Sequence, residues 1–334
     1  MPKRWNLLLP VVVLCIVVAV VIIKRDELGN FADAVAGVQA IPFFIAVICL
    51  FGRYLMHAFA YKGMFECVGE DIPYLKIVPL VFSVTFANDC APTAGTAGSV
   101  LVGAWAHKQG MPGGKAVSVV FLEKIGYFGG FSVVMLIGFI ILLVTGQMQL
   151  YLLLGCLVMI FMIGTVGVVL VLGYYRQLTL ERFLRWVERT LEHIMRIFNR
   201  GAILIHPAEI AASFHEAAVL AVESPKVAAK TFVRFILAHA FDCCCFVSTG
   251  FAFGFTTVPY LIAGYVAGFI IATFIIQTIG AVEILIAMIL GGYGVPGGVA
   301  AAIALCYRGL IFWVPFAIGA VCINITGKAS EQKV

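Results

Sequence analysis

The chain has 334 residues, 63% of them apolar and 12% charged, with a formal net charge of +5 and a mean hydropathy of +1.08. That composition excludes a water-soluble fold of this size and makes lipid the main solvent. The basic excess lies in gaps between apolar runs, so it reports membrane topology and excludes a nucleic-acid partner.

Residues 5–23 are apolar, long enough to span, and follow Lys3 and Arg4. The small-residue site Ala34-Val35-Ala36 lies well past that run, so an uncleaved first helix is expected in place of a signal peptide. Segments 41–61, 116–144, 150–173, 231–253 and 299–322 also approach or exceed the roughly 20 apolar residues that a spanning helix needs.

Two other stretches break that pattern. The apolar run from Ile77 stops at Asn88-Asp89-Cys90-Ala91-Pro92-Thr93-Ala94-Gly95-Thr96-Ala97-Gly98 and resumes from Val100 to Ala106. The run from Val258 to Leu290 is interrupted at Gln277-Thr278-Ile279-Gly280-Ala281-Val282-Glu283 in the same way. Each is expected to be a re-entrant hairpin of two half-helices. Its tip must be buried in protein or line a wet cavity, because backbone at the break has no water partner in hydrocarbon. Residues 259–276 are also long enough to span outright.

Gly110-Met111-Pro112-Gly113-Gly114-Lys115-Ala116 recurs as Gly294-Val295-Pro296-Gly297-Gly298-Val299-Ala300 at an offset of 184, which also places Lys124 on Arg308. The expected fold is an all-α polytopic membrane protein. It has two inverted repeats of helix, re-entrant hairpin, helix, plus additional spanning helices at 5–23 and 150–173. Residues 1–334 form one transmembrane domain, with the first repeat at 41–145 and the inverted second repeat at 226–322.

Between them, 174–225 is read as a cytoplasmic amphipathic segment. Leu180, Phe183, Leu184, Val187, Leu191, Ile194, Met195 and Phe198 fall at helical spacing, and Arg182, Arg185, Arg189, Arg196 and Arg200 take other positions. Such a helix either lies on an anionic leaflet or packs under the domain. A cytoplasmic N-terminus puts most of the 22 Lys and Arg residues inside. Both termini are then cytoplasmic, in a multi-pass inner-membrane protein, and the two hairpins enter from opposite faces, as in alternating-access carriers.

The ten cysteines lie mostly in apolar runs, where they act as small packing residues. Cys243-Cys244-Cys245 points in three directions around a helix, so neither a metal site nor a cofactor is expected.

Ionisable residues inside spans are costly unless paired or hydrated, and so mark functional candidates. Asn88, Asp89, Thr93, Thr96 and Ser99 belong to the first tip, and Gln277, Thr278 and Glu283 to the second. Glu123, Lys124, Tyr307 and Arg308 follow the hairpins. Neighbouring helix positions point about 100° apart, so Glu123 is expected to pair across the repeats with Arg308. Half-helix N-termini favour anions, which suits a phosphate head group. Arg53, His57, His239 and Asp242 form a secondary group on the lead helix of each copy. No nucleotide-binding or hydrolase motif is present, so transport would run on a gradient or mass action.

Together, the Asn88-Asp89-Cys90-Ala91-Pro92-Thr93-Ala94-Gly95-Thr96-Ala97-Gly98 run, Gly110-Met111-Pro112, Glu123-Lys124, Gly280, Glu283, Gly294-Val295-Pro296 and Tyr307-Arg308 resemble the lysylphosphatidylglycerol synthase transmembrane family. Its members are also described as flippase-like. Where members typically carry an acid after the first tip, this chain has Ser99 and keeps the acid at Glu283. The resemblance implies a lipid flippase or scramblase, not an enzyme, because the family's aminoacyl transfer resides in a soluble domain not read in these residues. The expected cargo is an anionic or aminoacylated phospholipid or a polyprenyl-phosphate-linked lipid. The alternative is a membrane subunit that presents a lipid to a separately encoded transferase. That transferase, lipids with anionic or phosphate head groups, and a second copy of the chain are the expected partners.

Overall fold

The computed structural model describes residues 36–90, 96–176, 178–183, 185, 186, 188, 189, 207–274 and 281–328, and among these it contains helices and no strand. The lead helix α1 (Ala40–Cys67) is followed by α2 (Tyr74–Cys90), α3 (Thr96–Lys108), α4 (Gly113–Val144) and α5 (Leu150–Tyr175). Then come α6 (Pro207–Glu223), α7 (Pro225–Ala252), α8 (Val258–Phe274), α9 (Ala281–Gly292) and α10 (Gly297–Arg308). A π-turn at Gly309–Trp313 leads into α11 (Val314–Lys328).

Among the described residues, four helices are long and apolar enough to cross a membrane: α1, α4, α7 and the continuous Gly297–Ile323. At 1.5 Å per residue, a 27-residue helix reaches about 40 Å, past the roughly 30 Å hydrocarbon core. The 13 residues of α3 and 12 of α9 reach only about 18–20 Å. The outward face of α1 presents Ile41, Phe44, Ile48, Phe51 and Leu55 to the surroundings, as a lipid-facing helix does. The chain is an all-α polytopic membrane protein. Segment 5–23 lies outside the described residues, while 150–173 is helical and continues to Tyr175.

The helix bounds themselves repeat. Moving α2 by 184 positions gives Val258–Phe274, which is α8, and moving α4 gives the Gly297–Lys328 stretch covered by α10, the π-turn and α11. The shared Gly-x-Pro-Gly-Gly motif has one role in both copies. Gly110 (φ 93°) and Gly294 (φ 81°) adopt left-handed backbone, which a glycine enters without a Cβ clash. Their N–H groups reach back to His107 O and Gly291 O at 2.9 Å. The next residues, Met111 and Val295, reach Ala106 O and Leu290 O at 3.3 and 3.1 Å. These bonds close the half-helix. Pro112 and Pro296 then start the following helix with φ −54°.

The two lead helices pack antiparallel along their length. Gln39 N–H donates to Ala252 O at 2.8 Å, Gly52 meets the Phe241 ring, and Arg234 Nη1 donates to Phe59 O at 2.8 Å. At one end of the bundle, Lys76 bonds Gln109 at 3.1 Å and Lys115 pairs with Glu70 at 3.4 Å. At the other, Tyr293 OH donates to Gln147 O at 2.8 Å and stacks on Tyr260. Helices α2 and α8 are each covered by the long closing helix of the other half of the chain. On α2, Ser83 bonds Thr326 of α11 at 2.9 Å; on α8, Phe269 stacks on Phe131 of α4 at 3.9 Å.

Helix α6 packs on α4 and α5. In the basic segment before it, Leu180 is buried while Leu178, Phe183 and Trp186 are exposed, and Arg185 pairs with Glu181. Residues 190–206 lie outside the described residues.

Candidate functional site

Arg53 stands near the middle of α1 and Asp242 in the second half of α7, and antiparallel packing brings them side by side. Arg53 Nη1 donates to Asp242 Oδ1 at 3.3 Å, with Asp242 1% exposed. Tyr307 OH donates to the same oxygen at 3.0 Å and Tyr265 OH to Oδ2 at 3.4 Å. One carboxylate therefore joins α1, α7, α8 and α10. A surface pair such as Lys62 with Asp71 is worth about 0–1 kcal/mol. Removing one partner of a buried pair costs about 3–5 kcal/mol, so the central pair carries the structural weight.

Beside this hub, Arg308 Nε donates to Glu283 Oε1 at 3.0 Å, with both side chains buried. Glu283 occupies the first turn of α9, where the helix dipole favours a carboxylate. The Arg308 guanidinium lies 4.7 Å from the Phe312 ring centroid, and its Nη2 is buried without a hydrogen-bond partner.

Arg308 is the last residue before the π-turn. Pro315, at the start of α11, has no N–H to bond the preceding turn, and the backbone widens there instead. In the first copy, α4 runs through the matching positions without a break.

Glu123, 5% exposed, pairs with Lys124 Nζ at 3.2 Å, with Tyr61 within electrostatic reach. The cross-repeat pair of Glu123 with Arg308 is not formed. Although neighbouring helix positions diverge by about 100°, the flexible lysine stem bends its ammonium back to the adjacent carboxylate, while Arg308 takes the acid of its own copy.

At the first tip, Asn88 Oδ1 accepts a hydrogen bond from Gly98 N–H at 2.7 Å, tying the end of α2 to the start of α3. A Cβ on Gly98 would sit 2.6 Å from the Asn88 amide, so Asn88 serves as a clamp that needs glycine opposite it. Asp89 Oδ2 is buried without a hydrogen-bond partner, within electrostatic reach of Arg53 and Arg308. Thr96 opens α3 and Ser99 is half-buried in its first turn. Thr93, Gln277 and Thr278 lie outside the described residues.

His57 and His239 stand edge to face, with ring centroids 5.9 Å apart. His239 is fully buried, its Nε2 against Tyr127 O at 3.1 Å, with Tyr127, Phe131 and Phe269 around it. Among the described residues no group of three potential metal ligands gathers.

The secondary residues Arg53 and Asp242 thus form the centre of the cluster, and the tip residue Asp89 and the post-hairpin residues surround it. Sequence reading passed over Tyr265 and Tyr127. Tyr265, the mid-run member of the two tyrosines in the apolar 258–274 run, and Tyr127, one helical turn after Glu123, were the available signals.

Comparison with curated proteins gives no match. The model of a protein family described as the lysylphosphatidylglycerol synthase TM region matches residues 7–319, nearly the whole chain with its buried cluster, and the chain belongs to that family.

Proposed function

We propose that the protein moves an anionic or aminoacylated phospholipid, or a polyprenyl-phosphate-linked lipid, between leaflets. The head group passes the two hairpin tips while the acyl chains stay in the bilayer. The observation that carries this reading is the Arg308 guanidinium. Glu283 holds it through Nε, and its Nη2 remains buried without a partner among the described residues. A phosphate oxygen matches that free donor, since the planar guanidinium fork binds phosphate directionally. Membership of a lipid-related membrane family agrees with it.

The test is leaflet exchange in liposomes, using labelled phosphatidylglycerol, its lysyl ester and a polyprenyl-phosphate sugar. Accelerated exchange of one lipid is expected, reduced about tenfold or more in Arg308→Ala, as loss of a charged hydrogen bond of 1.5–3 kcal/mol implies. Folding of the variant is checked by gel filtration. No exchange of any lipid would overturn the reading and bring forward the alternative, a membrane subunit that presents a lipid to a separate transferase.

We further infer that the two hairpins enter from opposite membrane faces, with both chain termini in the cytoplasm. The antiparallel lead helices and the placement of Gln147 and Tyr293 at one bundle end support entry from opposite faces, and the gathering of Lys and Arg residues supports cytoplasmic termini. Single cysteines at Gly146 and Tyr293 are both expected to react with an impermeant maleimide from outside the cell. Labelling of either only from the cytoplasmic side would reverse it.

A further inference from the structure

We propose that Asp89 is a proton-binding site that couples lipid movement to a proton gradient. This rests on the lipid-transport reading above and names the ion that would drive it.

The argument begins with charge. The described residues of the cluster supply three cations and four carboxylates. Asp242 has Arg53 at 3.3 Å, Glu123 has Lys124 at 3.2 Å and Glu283 has Arg308 at 3.0 Å. Asp89 is the fourth carboxylate. It forms no ion pair among the described residues, and its Oδ2 is buried without a hydrogen-bond partner. An ionised Asp89 would leave one negative charge in excess inside the bundle, which low-dielectric surroundings disfavour strongly.

The groups around Asp89 do not remove that excess. From α1, Arg53 and Tyr54 face it, and from α10, Arg308 does. Both arginines already hold another carboxylate. Tyr127 of α4 is a further neighbour and is neutral. The Asn88 side chain is engaged with Gly98 of α3, and α11 meets this end of α2 through Phe316 against Phe86. His57 and His239 lie among aromatic rings and pair with no carboxylate among the described residues. Asp89 is thus the carboxylate whose charge state the surroundings leave open. A proton fits it better than a metal ion, because among the described residues no set of additional ligands converges there.

The chemistry is one equilibrium. An Asp89 carboxylate oxygen accepts a proton from the water-facing side to give the neutral carboxyl, and releases it after the site has opened to the other side. No other bond changes. The coupling follows from Arg308. Ionised Asp89 and an anionic head group compete for the positive field of that guanidinium, so protonation of Asp89 favours head-group binding and, by linkage, head-group binding favours protonation.

Two measurements test this. In proteoliposomes, a proton gradient directed with the lipid is expected to raise exchange by about fivefold or more over no gradient, the scale of ordinary site-to-site coupling. A sodium gradient at fixed pH is expected to do nothing. Asp89→Asn, which mimics the neutral form, should exchange at a rate that ignores the proton gradient, and Asp89→Glu should restore the response. An unchanged proton response in Asp89→Asn, or a sodium response in its place, would overturn the proposal.

The second measurement needs no transport. Infrared difference spectra of the reconstituted protein across a pH series should show a protonated-carboxyl band that is missing in Asp89→Asn. Failure of all lipid exchange with that band present would sink the transport reading and the coupling role while leaving Asp89 as a proton site. Exchange without the band would sink the proton site alone.

Discussion

Asp242→Ala is expected to lower the unfolding free energy by about 3–5 kcal/mol and to lower expression with it. The substitution leaves the Arg53 guanidinium buried with no carboxylate and strips Tyr307 and Tyr265 of their common acceptor. Four helices lose one shared contact point. Thermal unfolding in detergent micelles reads the effect. The double variant Arg53→Leu/Asp242→Leu separates charge from packing, because a pair replaced by apolar groups of similar size is often neutral. Recovery of most of the stability in the double variant is the expected result. If the single variant melts with the wild type, the pair is not the structural centre described above.

Gly130→Ala is the second large effect, expected to cost about 1–3 kcal/mol through overpacking. An added Cβ would stand 2.8 Å from the backbone carbonyl carbon of Phe235 and 2.9 Å from Ile236 N. Backbone cannot rotate away as a side chain can, so α4 and α7 must separate, and Phe235, fully buried between them, loses contacts with the shift. Gly164, helical and with nothing within 4 Å of its would-be Cβ, supplies the control. There alanine is expected to be neutral or to stabilise by up to about 1 kcal/mol, the ordinary helix preference over glycine. Equal melting of the two variants would contradict the close approach of α4 and α7.

These outcomes concern stability, whereas Arg308 and Asp89 concern transport. The central pair fixes the antiparallel lead helices, and Asp89, the Glu283–Arg308 pair and the π-turn stand near it. A change at Asp242 should therefore lower the amount of folded protein, while a change at Arg308, which also leaves Glu283 without its buried partner, should lower exchange per folded molecule in addition to stability.

Helix identity and the 184-residue recurrence of the helix bounds were legible from residue order. Hydropathy over about 20 residues and the Gly-x-Pro-Gly-Gly motif are local properties, and in lipid every backbone group must be satisfied within its own helix. The charged residues were legible too, since an ionisable side chain in an apolar run stands out by itself. Their partners were not. Arg53 and Asp242 lie 189 positions apart, and they meet because two antiparallel helices settle into one axial register. Glu123 and Lys124 are adjacent, and they meet because a lysine stem bends. Tyr265 looked like one more apolar residue until α8 turned its hydroxyl toward Asp242. Pairing depends on helix rotation, axial register and side-chain reach, quantities that exist only after the helices pack, so residue order revealed the charges and packing chose which of them were neutralised and which, like Asp89, were left without an ion-pair partner among the described residues.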